Sequence, residues 1–168
     1  MLDSGVIWNV VDQWPVLSIL ALTAVLAWPL GRRLGRGAPG VAFVAVLGAV
    51  LAATTTTRQP EFSLGGLHPY LREFLDPVYL LDGFGSTAEK LANIGLFLPL
   101  AALATLLWRR PVGVVAASAG LSFLIEAWQA YIGRAGDAVD VVHNTFGAIL
   151  GTIVALAVVS SRRTGPAH

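Results

Sequence analysis

The stretch "LIEAWQAYIGRAGDAVDVVHNTFGAILG", from Leu124 to Gly151, gathers carboxylates, amides, a guanidinium and an imidazole within reach of common chemistry. Glu126 and Asp140 form the kind of carboxylate pair used in acid–base catalysis, with Glu126 as general acid or base and Asp140 as its charge partner. Asn93 and Asn144 could donate to developing negative charge, and Arg134 could meet a phosphate or carboxylate. Ser122, Gln129 and Asp137 supply further hydrogen-bonding groups around them. Glu126, Asp140 and His143 would offer oxygen and nitrogen to a metal, yet no spacing here is diagnostic of zinc, so neither a metal nor a cofactor is expected. A hydrogen-bonded histidine is the simpler reading of His143. The sequence has no HExxH, GxSxG or P-loop motif, and without cysteine it forms no disulfide, thiolate site or cysteine nucleophile.

These polar groups must be held by very apolar segments. Of the 168 residues, 55% are hydrophobic and only 12% charged, where soluble proteins have about a quarter charged. The mean hydropathy is +0.71. An all-α, polytopic transmembrane bundle follows, a single membrane domain over residues 1–168, because long apolar runs in lipid satisfy their backbone groups as helices. Five apolar segments can be marked, at about Trp14–Leu30, Gly40–Thr56, Ala88–Trp108, Val112–Ile132 and Val139–Ser160. Spanning takes roughly 20 residues, so the last three are comfortable and the first two short; about five spans is the reading, four the alternative. The N-terminal "MLDSGVIWNVVDQW" carries no basic residue, so the first apolar segment is expected to be a retained span and not a signal peptide.

Charge placement gives an orientation. On the five-span map Arg32, Arg33, Arg36, Arg109, Arg110, Arg162 and Arg163 fall on one side, and Arg58, Arg72, Lys90 and Arg134 on the other. The richer side is expected in the cytoplasm, which puts the N-terminus outside and the C-terminus inside a cell membrane. All ten acids lie on or near the outer side. There the long connection Thr57–Thr87 contains "LHPYLREFLDPVYLLDGFG", aromatic and charged together. It reads as a loop or short helix at the headgroup level or, more sharply, as a lid. Ser86-Thr87-Ala88-Glu89 has the form of a capping box, and Pro99 is expected to kink the third span.

Helical periodicity then places the polar residues. Ser122, Glu126 and Gln129 share one face of the fourth span, and Asp140, Asn144, Gly147 and Gly151 one face of the fifth. At ~1.5 Å per residue, Glu126, Asn144 and Asn93 lie about 9, 8 and 6 Å from the outer ends of their helices. An isolated charge at such depth costs at least ~2.5 kcal/mol, so Glu126 should face the bundle interior, pair with Arg134 or an amide, or be protonated. Three helices are therefore expected to converge on an outward-facing polar pocket. Asn93 and Asn144 are alternatively plain interhelical glue, and Gly147 and Gly151 offer a close-packing face for another helix or for a homo-oligomer.

In this order "NIGLFLPLAAL" from Asn93, "IEAWQ" from Ile125 and "GRAGDAVDVVHNTFGAILG" from Gly133 resemble the VanZ-like integral membrane proteins of bacteria. The pattern covers a core of about Glu89–Gly151, with Asn93, Pro99, Glu126, Gln129, Arg134, Asp137, Asp140, Asn144 and Gly147 at matching positions. The family is named for a protein that lowers susceptibility to teicoplanin, a glycopeptide antibiotic with a fatty acyl tail. The resemblance implies a partner in the cell envelope: a lipid-linked or acylated small molecule within the bilayer, and no nucleic acid. Two functions fit the residues. One is a binding module in which Arg134 and the amides meet the head of such an amphiphile; the other is a membrane enzyme using Glu126 on it. A carrier fits less well, because the chain shows no internal repeat.

Overall fold

The computed structural model describes residues 14–34, 37–55, 62–82, 88–134 and 136–162. Every regular element among them is helical. The long helices are α1 (Trp14–Arg33), α2 (Ala38–Thr54), α5 (Ala88–Trp108), α6 (Pro111–Tyr131) and α7 (Ala138–Ser161), with the short α3 (Leu67–Glu73) and α4 (Pro77–Asp82) between α2 and α5. Four of them, α1, α5, α6 and α7, are long and apolar enough to cross a membrane, and the 17-residue α2 is a shorter apolar helix. At ~1.5 Å per residue α2 is ~25 Å long, so five spans accord with the fold. The boundaries follow local chemistry. Proline within the first turn opens α2 and α6, where its missing N–H would have had no partner anyway. Gly133, at a φ of 76°, closes α6, and the Arg134 amide folds back 2.8 Å onto the Gln129 carbonyl. That is the six-to-one bond of a Schellman ending, and it turns the chain over the end of its own helix. The capping box at Ser86–Glu89 falls outside the described residues.

The bundle is organised by small residues. A Cβ added to Gly147 would strike the Ile94 carbonyl, and one on Gly151 the Leu98 carbonyl, so α7 lies backbone-close along α5. Ala101 and Ala148 are buried in the same seam, and Thr105 and Thr152 hydrogen-bond across it at 3.2 Å. Lipid gives helices no hydrophobic drive toward one another, so this close van der Waals fit and the threonine pair hold α5 to α7. The face of Gly147 and Gly151 is thus occupied within the chain. Where α2, α5 and α6 meet, Val50, Phe97, Leu100 and Ile125 form an apolar core. α1 packs on α2 at the edge of the bundle, with only Ala27 and Gly31 of its residues buried.

Charge divides the two ends. Arg32, Arg33, Arg109, Arg110 and Arg162 lie at one end, and every described acidic residue is at the other, with α3 and α4. Of those short helices, α3 is packed down on α6 and α7, and α4 on α3 and α7. Tyr70 is buried, stacks edge-on with Phe74 and donates its hydroxyl to the Phe123 carbonyl at 3.0 Å. Burial pushes the Tyr70 phenol well above its usual value, and the nearby Glu126 and Glu73 carboxylates push it further. The described part of the connection after α2, residues 62–82, is therefore a folded cap on the acidic end.

Candidate functional site

The site is built where the end of α6, the start of α7 and the cap come together. Ser122 and Glu126, one turn apart on α6, are both buried against α7. Asn144, one turn into α7 from Asp140, donates its amide to the Ser122 hydroxyl at 2.9 Å. Its carbonyl oxygen Oδ1 is buried and has no hydrogen-bond partner among the described residues. A buried polar atom without a partner leaves room for one more donor, a water or a ligand group. Above this pair the Glu126 carboxylate accepts the Asp137 N–H at 3.2 Å. Asp137, Asp140 and Arg134 are the charged groups close enough to act on it.

Two more carboxylates meet the same helix start. Asp137 caps α7 by accepting the Val139 N–H at 2.7 Å, and Glu73, reaching down from α3, accepts the Ala138 N–H at 2.9 Å. The first turn of a helix presents free N–H groups and the positive end of its dipole, so three carboxylates can gather there. Gly136 makes the approach possible, because a Cβ there would overlap the Glu126 carbonyl. From α4 the Tyr79 hydroxyl donates to the other side of this network, meeting Asp137 at 3.2 Å. Burial first, then the Asp137 charge, pushes the Tyr79 phenol up to about 12.

The expected residues divide into two groups. Ser122, Glu126, Asp137 and Asn144 share the α6–α7 cluster, with Asp140 beside it on the first turn of α7. Gln129 and Arg134 turn away to the end of α2. Gln129 donates to the Thr54 carbonyl at 3.0 Å, and Arg134 to the Ala53 and Thr54 carbonyls at 3.2 and 3.1 Å. Trp128 adds an indole N–H to Thr55 at 2.8 Å. The last carbonyls of a helix lack internal donors, and the Schellman turn at Gly133 aims Arg134 at those of α2. Asn93 is half-buried on α5, and no hydrogen bond to a described residue joins it to the cluster. His143 is buried and donates Nδ1–H to the Val139 carbonyl at 2.8 Å. Among the described residues no group of three or more acidic or histidine side chains is arranged to hold a metal.

Among the described residues, α3 and α4 lie over the cluster, with Glu73 and Tyr79 reaching the start of α7. A concavity of about 650 Å³ opens one layer higher, on the cap itself, lined by His68, Arg72, Glu73, Asp76 and Tyr79 among others. Glu73 and Tyr79 thus line this concavity and also hold the α7 start. Sequence reasoning missed both as site residues. Their only signal was the mixture of aromatic and charged residues that raised the lid reading.

A family model described as VanZ/LLP1 matches residues 41–159, which run from α2 nearly to the end of α7 and leave out α1. The chain belongs to the VanZ/LLP1 family. It is a multi-pass helical membrane protein, and the α2–α7 body that builds the cluster and its cap is the part the family shares. The match is wider than the motif-bearing stretch Glu89–Gly151. No curated protein and no solved structure matches the chain.

Proposed function

We propose that this VanZ/LLP1 protein binds the head of a lipid-linked or lipid-tailed envelope molecule at its acidic, capped end, and thereby lowers susceptibility to acylated glycopeptides such as teicoplanin. Family membership supports the link to glycopeptides. The observation that carries the binding reading is the closed network itself. Glu126 and the unpartnered Asn144 Oδ1 lie buried beneath Glu73 and Tyr79, which also line the open concavity above. A hydroxyl, amide or ammonium group entering from the cap would complete the Asn144 carbonyl, and Arg72 offers a guanidinium at the concavity for phosphate or carboxylate. The excess of arginine at the opposite end supports a cytoplasmic placement for that end, with this site facing outward.

A second reading is favoured by one feature, the burial of the Glu126 carboxylate beside Asp137, an environment suited to proton transfer. In it Glu126 is the acid or base of an enzyme acting on the same class of molecule, with Asp140 as its charge partner. Growth inhibition of a sensitive Gram-positive host separates the two. The host expresses wild type, Glu126→Gln or empty vector at matched membrane levels, and is challenged with teicoplanin and with a glycopeptide lacking the acyl tail. Glutamine keeps the acceptor for the Asp137 N–H, so a binding module retains part of its protection and an acid–base enzyme loses all of it. Absence of protection by wild type would remove the glycopeptide reading altogether.

A further inference from the structure

A second concavity lies at the arginine-rich end, on a different face of the bundle from the site above. It is a groove of about 560 Å³ between α2, α5 and α6, lined by Phe43, Leu47, Leu100, Ala104, Trp108 and Arg110 among others. Its walls are apolar, and its mouth is framed by Trp108, which packs edge-on against Phe43 at 4.9 Å, and by the Arg110 guanidinium. From Arg110 to Leu121, the deepest α6 residue on its wall, the groove follows eleven residues of helix, or ~16 Å. One leaflet of a bilayer's hydrocarbon is about 15 Å deep. The groove therefore runs from the helix ends to the membrane midplane, the path of one acyl chain.

Charge at the mouth selects the head. Arg110 precedes the first turn of α6, whose N-terminus has no side-chain cap. Arg109, its neighbour in the two-residue turn between α5 and α6, faces a separate concavity with Ile153 and Leu156 of α7. No described acidic residue lies at this end of the bundle to neutralise either. Arg110 and the helix start beside it make the mouth of this apolar channel positive, and a phosphodiester joined to acyl chains is the matching charge pattern. We propose that the α2–α5–α6 groove holds an acyl chain of one anionic phospholipid from the surrounding leaflet, with its phosphate bound by Arg110. The lipid fills the gap that α2 leaves where it packs on α5 but stands off α6, so it acts as a structural element of the bundle.

The test uses full-length protein in bilayers containing equal fractions of phosphatidylglycerol and phosphatidylcholine, one of the two carrying a photoactivatable group on its acyl chain. After illumination, labelled peptides are mapped by mass spectrometry. Phosphatidylglycerol is expected to label the Phe43–Leu47 and Ala104–Trp108 segments about fivefold more than phosphatidylcholine, equivalent to ~1 kcal/mol for one basic residue at an anionic head. Arg110→Gln is expected to bring that ratio close to one, and raised salt to lower it. Ala117→Phe, at an exposed position on the groove wall, should cut labelling of both segments by either lipid while leaving Arg110 in place. Equal labelling by the two lipids in wild type would mean ordinary annular lipid and overturn the proposal. So would crosslinks to a second copy from the same segments, or a ratio that survives Arg110→Gln. Thermal unfolding of each variant confirms that the labelled protein is folded, and if Ala117→Phe fails that check the salt series and Arg110→Gln still decide.

Discussion

Replacing Glu73 by alanine tests whether the cap is held down by its contact with α7. In the wild type the Glu73 carboxylate accepts the N–H of Ala138, a residue that is 0% exposed, at 2.9 Å. A hydrogen bond to a charged group contributes about 1.5–3 kcal/mol, and a buried N–H left without an acceptor costs a similar amount. Asp137 and Glu126 still hold the neighbouring amides, so α7 keeps its start and the loss is confined to the cap. Taking ~2 kcal/mol, the population of the open cap rises about 30-fold. Hydrogen exchange of the protein in nanodiscs, followed peptide by peptide, reads this directly. Amides of residues 67–73 and of Ala138 should exchange about 30-fold faster in Glu73→Ala, whereas α5 amides around Leu100 should be unchanged. Glu73→Gln keeps an acceptor oxygen and loses only the charge, so its acceleration should be several-fold. If exchange at residues 67–73 in Glu73→Ala stays within twofold of wild type, the cap is held by its aromatic packing and the carboxylate bridge is incidental.

Four further outcomes follow from the packing and the polar contacts. Gly151→Val forces a side chain into the Leu98 carbonyl and should destabilise the bundle by ~3 kcal/mol or more, measured by thermal unfolding in detergent. Gly120→Ala, where an added Cβ meets nothing within 4 Å, should be neutral or stabilising by up to ~1 kcal/mol in the same assay. The Ser122→Ala, Asn144→Ala double-mutant cycle should give a coupling of ~0.6–1.7 kcal/mol, and additive effects would show that the 2.9 Å bond carries no energy. Tyr79 should ionise only near pH 12, with a spectrophotometric tyrosinate step absent from Tyr79→Phe. Because its phenol is raised from 10.0 in the unfolded chain to about 12, its stabilising contribution is whole below pH 10 and is lost between 10 and 12.

The sequence by itself determined the bundle. The apolar segments at Trp14, Ala88, Val112 and Val139 became helices within a few residues of their expected ends, because lipid allows an apolar run little else. It also placed Ser122 and Glu126 opposite Asn144, since helical periodicity fixes which residues share a face and glycines fix which face can approach. Only the tertiary structure decided what those faces meet. Gly147 and Gly151 were legible as a contact surface, but that α5 fills it depends on three-dimensional packing. Gln129 and Arg134 stood in the right pattern for the cluster, yet they bond to the end of α2, 75 and 80 residues away at Thr54. Glu73 and Tyr79 reach the start of α7 across 65 and 58 residues. Such partners are chosen by helix ends, where free carbonyls and N–H groups seek whichever side chain the fold brings near. A periodic pattern specifies the face of a helix, whereas the neighbour at its end is set by how the other helices stop.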